Sequence, residues 1–465
     1  MDLHLNSWRA VLVALCLVVA GCATPFAPHR ESPGAALPEA YSGGAPEAGG
    51  AAACWAQSFA SEALQRDIRR LRGHNLGIAA ARARVEQARA RHRLSGASRR
   101  PQLNLAGELG RSQTGDRNGK RSEGAGRLEA LVEWELDIWG RLAALRQAAD
   151  LTVREQDALR EQLRLEQECE LVEAWIDHGS AVALRTVLVA QRKTGEQLLE
   201  LMELRAAQGA APAPELERQR GRLADIDRQI PSAETAAEHS ANAYAVLLGG
   251  FPGSARPPAG GLSAAGPLGR LPTPRELLHA RPDLCAALFA LESADQQVAA
   301  AVAQRLPRLS IGLSYGLHRP DPATAGTETI AGFTAGLLAP VFAAGRLRAE
   351  QSLREAEATE ALALLEKALR EAVREVEDLL AREESLRKES ESLGRQIEHA
   401  RRARRGTLLR YASGELPYLD VLDATRELHA LEALEIEVAR ARLINRARLH
   451  KALGSEWSTA HETDS

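Results

Sequence analysis

Two periodicities divide this chain. Between Gly140 and Gln208, and again between Arg346 and Ala412, apolar residues recur every three or four positions with no internal proline. Leu362, Leu365, Leu369, Val373, Val376 and Leu380 step in this way along the second stretch. That spacing puts them on one stripe of a helix and predicts a coiled-coil seam. At 1.5 Å per residue each stretch makes a helix roughly 100 Å long. A stripe of that length needs a partner, so a solvated single helix is the weaker reading. Elsewhere the period is two. In "GRLEALVEWELDIW" the residues Leu128, Ala130, Val132, Trp134, Leu136 and Ile138 alternate with Arg127, Glu129, Glu133, Glu135 and Asp137. Leu103, Leu105 and Leu109 alternate likewise, as do Leu309, Ile311, Leu313, Tyr315 and Leu317. A weaker alternation carries Phe333, Leu337 and Val341. Four strands are predicted, each with one apolar face.

The pattern occurs twice. Gly140, Gly209, Pro212 and Gly249 have counterparts at Gly345, Gly414, Pro417 and Gly454, all at an offset of 205. The chain therefore reads as a tandem duplication. Each half runs helix, two strands, very long helix, Gly-x-x-Pro break, and a return helix of about 35 residues. Glycine at a helix stop and proline at the next start are hairpin punctuation, so Gly209, Pro212, Gly414 and Pro417 mark two hairpin tips. The expected boundaries are a first repeat over 55–250, a Pro/Gly-rich linker over 251–274, a second repeat over 275–455 and a tail over 456–465. The segments "TGDRNGKRSEGAG" and "HRPDPATAGTE" read as loops between paired strands.

The alternating strands fit a half-exposed soluble sheet or a barrel with lipid outside and water inside. Trp134 and Trp139 near one strand end suit an interfacial belt. Four strands cannot close a barrel alone, and open edges in hydrocarbon would leave backbone groups unpaired. Strands that span a membrane here must share one barrel with other copies.

The N-terminus carries an address. Arg9 precedes "AVLVALCLVVAG", too short for a stable span and shaped like a signal peptide over residues 1–21. The residues "VVAG" before Cys22 resemble a bacterial lipobox, which implies cleavage there and lipid on the Cys22 sulfur. Ala23 follows, not the aspartate that often holds lipoproteins at the inner membrane. Residues 22–54 read as a lipidated tether rich in Pro, Gly and Ala. No other apolar run is long enough for a membrane helix.

Composition removes several function classes. Net charge is −3, so no basic surface calls for nucleic acid. Apolar residues at 45% argue against disorder. Cys54, Cys169 and Cys285 form no CxxC and have no His at zinc spacing, so they read as small buried residues or free thiols. There is no GxGxxG, P-loop or HExxH, and neither a metal nor a cofactor is expected. "GLSYG" matches G-x-S-x-G around Ser314. A nucleophile elbow needs a sharp turn after the serine, whereas the strand alternation here continues through Leu317. No enzyme activity is expected.

Asp420 and Asp423 stand three apart in "YASGELPYLDVLDATRELHA" and share a helix face just past a predicted tip. By themselves they fit a catalytic pair, a metal site or a solvated acidic face.

Together these residues resemble the TolC-like outer-membrane efflux proteins, and most closely the lipoprotein branch serving resistance-nodulation-division pumps. The carriers are Cys22; "WAQSFASEALQRDIRRLRGHN"; "LDIWGR"; "LPTPRELLHARPDL" with Arg281, Pro282 and Asp283; "PVFAAGR"; and "YASGELPYLDVLDA". The residues after Cys22 carry the family's acidic-aromatic pattern only faintly, and Phe289 replaces a usual glutamate. The resemblance implies a mainly α fold with a small β part. Duplicated helical hairpins would form a trimeric α-barrel tunnel, and four strands per chain would build a shared 12-stranded outer-membrane β-barrel. Helices near 74–99 and 282–305 would complete the tunnel wall. It implies a passive exit duct for drugs or other small molecules, lipid-anchored in the bacterial outer membrane and extending into the periplasm. The implied partners are two further copies, a periplasmic adaptor, an inner-membrane pump and outer-membrane lipid. Asp420 and Asp423 match aspartates that line the periplasmic constriction, and Tyr411 matches a gate tyrosine. Leu416 stands where some members carry arginine, which weakens a tyrosine–arginine lock. Glu215 and Glu217 are the nearest acids of the first tip, so the two tips differ. The alternatives are a periplasmic lipoprotein adaptor, which would show one hairpin and not two, and an extracytoplasmic hydrolase built on Ser314.

Overall fold

The structure, a computed structural model, describes residues 38, 40, 41, 61–116, 119–208, 212–260, 262, 271–319 and 326–454. Cys22 and Gly209 lie outside the described residues. The first repeat contains α1 (Glu62–His74), α2 (Leu76–Ala97), β1 (Gln102–Asp116), β2 (Gly119–Leu136), α3 (Arg141–Ala207) and α4 (Ala213–Leu247). The second contains α5 (Pro274–Ala280), α6 (Pro282–Ala303), β3 (Arg308–Arg319), β4 (Glu328–Leu338), α7 (Arg346–Ala412) and α8 (Tyr418–Ala452). The duplication is carried to the residue. From α3 to α7 both ends shift by 205, as they do from α4 to α8. From α2 to α6 the shift is 206, and the strand hairpins absorb the difference.

Two sequence expectations change. Each repeat opens with two helices rather than one. The break falls at Asn75 in the first repeat and Arg281 in the second, both in extended conformation. The Asn75 side chain caps α2 by accepting from Ile78 N at 3.0 Å, so a polar residue inside the helical pattern starts a new helix. The segment read as the first loop is mostly strand, because β1 and β2 stay in register out to Asp116↔Gly119. Local polarity masked a pairing that only the partner strand supplies.

The chain divides into two compact units. Among the described residues, one comprises 83–157 and 286–367, and the other the residues before 83, those between 157 and 286, and those from 368 onward. The first unit holds the sheet, antiparallel in the order β1-β2-β3-β4. Register aligns the apolar positions across all four strands. Leu103 lies opposite Val132, Val132 opposite Leu313, and Leu313 opposite Phe333. The other face carries Glu108, Arg127, His318 and Glu328 in one row. Leu103, Leu105, Leu109, Phe333 and Leu337 are exposed. A continuous apolar face bare of protein is what lipid would cover. Trp134 and Trp139 donate their indole N–H to the carbonyls of Arg99 (3.0 Å) and Pro307 (2.6 Å).

The second unit has helices and connecting segments but no strand among its described residues. Its main core gathers Leu64, Ile68 and Leu71 of α1 around Trp175 and Tyr244. Trp175 donates to Pro258 O at 2.8 Å, and Tyr244 OH donates to Asp67 Oδ2 at 2.7 Å. The return helices end on glycines in the left-handed region, Gly249 at φ +79° and Gly454 at +66°. A Cβ on Gly249 would run into the His74 carbonyl, and one on Gly454 into the Ala280 carbonyl. Cys169 is a buried free thiol, raised to about 12 chiefly by burial, and Cys285 is a half-buried free thiol. Cys54 lies outside the described residues.

Candidate functional site at the helical tip

The second tip is built by its punctuation. Gly414 stands at φ +81°, where an L side chain would be strained. The chain turns there with Ser413 N donating to Leu409 O at 3.1 Å and Glu415 N to Arg410 O at 2.9 Å. Those bonds satisfy carbonyls at the end of α7. Pro417 is the N-cap of α8, and Asp420 N donates to Pro417 O at 3.3 Å. Pro212 plays the same part for α4, with Glu215 N donating to Pro212 O at 3.0 Å.

Asp420 and Asp423 lie in the first two turns of α8 on a face away from buried Tyr418, Val421 and Leu422. Asp420 is half-buried and Asp423 exposed. Neither carboxylate has a hydrogen bond or ion pair among the described residues. The positive end of the helix favours the Asp420 charge, which lies in its first turn. No cluster of His, Cys, Asp or Glu suited to a metal occurs among the described residues.

Tyr411 is elsewhere. It is 3% exposed, packed in a core with Met202, Tyr418, Val421 and Leu422. The Arg205 guanidinium lies 4.5 Å from its ring centroid, and Arg205 Nη1 donates to Tyr411 O at 3.0 Å. A cation over a ring face is an attractive arrangement. Tyr418 meets Tyr411 edge-on at 5.9 Å. The Tyr418 hydroxyl donates to Gln219 Oε1 at 2.5 Å, and Gln219 Nε2 donates to Gly195 O at 2.7 Å. Burial pushes the Tyr418 phenol up to about 12 and raises that of Tyr411. No hydrogen bond joins Tyr411 to either aspartate. The structure therefore separates the three residues read together in sequence: two free carboxylates on a surface and one tyrosine clamped between hairpins.

Sequence reasoning passed over the clamp. Arg205 and Gln219 had no motif, and Tyr418 stood inside one without a role. One signal was present: Arg205 and Arg410 stand at the repeat offset, in "LRAAQG" and "LRYASG". Arg410 pairs instead with Glu415 at 3.2 Å. His429 was also passed over. It is buried, accepts at Nδ1 from Arg222 Nη2 at 3.0 Å, and is lowered to about 4 by burial and by the Arg222 and Arg404 charges. Ser314 sits mid-strand opposite Gly332, with no turn beside it. The elbow geometry is missing.

A sequence profile of the family described as outer membrane efflux protein matches residues 68–250 and 273–455, one copy per repeat. The chain belongs to the outer membrane efflux protein family. It is 30% identical over 475 residues to the pyoverdine export outer membrane protein OpmQ of Pseudomonas putida, covering 97% of this chain and 98% of that one. It is 29% identical to the outer membrane protein OprJ of Pseudomonas aeruginosa, covering 96% and 95%. Among solved structures, CusC superposes with a TM-score of 0.84 at 24% identity, over 93% of this chain and all of that one. As an outer membrane efflux protein, the chain is a channel component of an efflux system in the outer membrane. Membership accounts for an exposed apolar sheet in a chain whose described helices are nowhere long and apolar enough to cross a membrane.

Proposed function

We propose that this outer membrane efflux protein is the passive exit duct of a tripartite exporter, working as a homotrimer held additionally by lipid on Cys22. Three copies supply twelve strands to one barrel, and their helices wall the conduit. A periplasmic adaptor joins it to an inner-membrane pump, which hands over drugs or other small molecules. The duct performs no chemistry on its cargo. An adaptor is disfavoured because this chain has two hairpins and four strands with a bare apolar face.

The observation that carries the gating reading is the unpartnered pair Asp420 and Asp423 at the start of α8, beside the Gly414–Pro417 tip. Three copies bring six such carboxylates around one axis. Hydrated negative charge in a narrow aperture admits cations and repels anions. Repulsion among them opposes closure, and the Arg205–Tyr411 and Tyr418–Gln219 contacts offset it by holding the hairpins together. The test is single-channel recording in planar bilayers. Asp420→Ala with Asp423→Ala is expected to reduce cation selectivity and block by divalent or trivalent cations while trimer yield holds. Unchanged selectivity and block in an assembled double variant would reduce the pair to a solvated face.

A further inference from the structure

A small cavity lies between the α3–α4 hairpin and the α7–α8 hairpin, next to Tyr418 and Leu422. All four helices wall it, and its volume is about 20 Å³. A space of that size takes a water molecule or one small ion and excludes anything drug-sized.

The charge on its wall has one sign. Arg222 of α4 and Arg404 of α7 line the cavity, and no aspartate or glutamate does. The Nε atoms of both arginines are buried and have no hydrogen-bond partner among the described residues. Arg222 is engaged only through its outer nitrogens. Nη1 donates to Asp225 Oδ2 at 3.0 Å, and Nη2 to His429 Nδ1 at 3.0 Å. Asp225 is shared, because Arg228 pairs with its other oxygen at 2.8 Å. Arg404 is half-buried and has no ion pair among the described residues. His429 also lines the cavity, and accepting at Nδ1 leaves its ring proton on Nε2. Thr425 adds a hydroxyl with no partner among the described residues. The amide nitrogens of Gln191 and Gln219 are already committed, to Glu432 and to the Gly195 carbonyl.

Two buried cationic donors without an acceptor are costly, and the cost grows when they repel each other. Water accepts from such a donor but leaves the charge in place. A small anion does both. We propose that this cavity binds one monovalent inorganic anion of chloride size, held by the Arg222 and Arg404 guanidinium groups. Arg222 belongs to the first hairpin and Arg404 to the second, so the ion ties the hairpins together. Binding to the packed helices alone stabilises them in proportion to anion concentration. At the repeat offset the counterparts of Arg222, Arg404 and His429 are Glu427, Leu199 and Ala224, so the site occurs once per chain. It lies within one chain and does not depend on the duct reading.

The test uses the full chain in detergent at about pH 8, above the range in which His429 takes up a proton. Helical unfolding is followed by circular dichroism in sodium chloride, sodium bromide or sodium gluconate at equal ionic strength. Gluconate is too large for the cavity. Chloride and bromide are expected to raise the midpoint by about 2–4 °C over gluconate, increasing with concentration. Arg404→Gln is expected to lose most of that difference. Arg405→Gln, at the exposed next position, is expected to keep it. Crystals of the native chain grown in bromide should show an anomalous peak in each chain at Arg222 and Arg404. Equal native midpoints in the three salts would make water the occupant and overturn the site, even if a bromide peak is present. A full chloride shift in Arg404→Gln, or bromide peaks only elsewhere, would also overturn it. If Arg404→Gln does not fold, the native salt series and the bromide peak together decide. None of these outcomes touches the duct, which is tested by ion selectivity.

Discussion

The two repeats spend their likeness and their differences in different places. At the junction of return helix and short helix pair they solve one problem twice. Gly249 and Gly454 both turn left-handed against a backbone carbonyl. The last carbonyls of α4 and α8, at Leu247 and Ala452, are both captured by the residue between the two short helices. In the first repeat Asn75 Nδ2 donates at 2.9 Å; in the second Arg281 Nη1 donates at 3.0 Å. At the tips the repeats part. One presents Glu215 and Glu217 after its proline, the other Asp420 and Asp423, and the flanking helix α2 is arginine-rich where α6 carries Asp283, Glu292 and Asp295. Positions fixed by backbone geometry have few chemical solutions, so both copies retain them. Positions fixed by charge toward a partner or a lumen are free to diverge once two copies exist.

Gly249→Val or Gly454→Val should break this comparison most strongly. Each adds a side chain at positive φ and drives it into a carbonyl. The strained backbone alone costs about 1–3 kcal/mol, and the clash adds to it. Loss of assembled protein on outer-membrane blots is expected from both. Gly406→Ala is the control. It lies inside α7 with nothing within 4 Å of its Cβ position, and should stabilise by about 0.5–1 kcal/mol. Equal tolerance at all three positions would show that the shared glycines are accidental.

Arg281→Ala and Asn75→Ala sharpen the same junction. Arg281 also pairs with Asp283 and Glu375, each at 2.8 Å, and its side chain is 9% exposed. Removing it strands carboxylates and a carbonyl, at about 3–5 kcal/mol. Asn75→Ala loses a cap and a carbonyl partner, at about 1–3 kcal/mol. Denaturation of purified protein should rank them in that order; the reverse order would mean that the neutral solution carries more of the fold.

A further difference between the tips concerns pH. His429 is held at about 4 in the folded chain, against about 6.5 when unfolded. The unfolded chain therefore binds the extra proton between those values. Stability is full above pH 6.5 and falls as pH drops toward 4, by at most about 1.4 kcal/mol per unit per chain. Ala224 is its counterpart, so the first tip lacks this term. His429→Gln should flatten the acid limb of thermal unfolding; an identical limb would place the titration elsewhere.

The elements were legible because each carries its own period. A 67-residue amphipathic run with no proline leaves α7 no other local state, and the structure bounds it at Arg346 and Ala412 as the pattern did. The duplication was legible because glycine and proline at fixed spacing punctuate regardless of context. The acidic pair was legible as residues, and its placement at the start of α8 followed from Pro417. What sequence could not supply was contact across elements. Tyr411 matches a gate tyrosine by resemblance alone, and nothing local to it announces the Arg205 guanidinium, 206 positions away, that lies over its ring. The extension of β1 and β2 through a polar segment came from pairing, since the local residues favour a turn. The restart after the first short helix came from the Asn75 cap in the first repeat, where one side chain chose between continuing a helix and restarting it, and from Pro282 at the first helical position in the second. Periodicity and punctuation are properties of neighbouring residues, and the sequence by itself determined them. Register and clamps depend on distances between residues far apart in the chain, which only the folded chain decided.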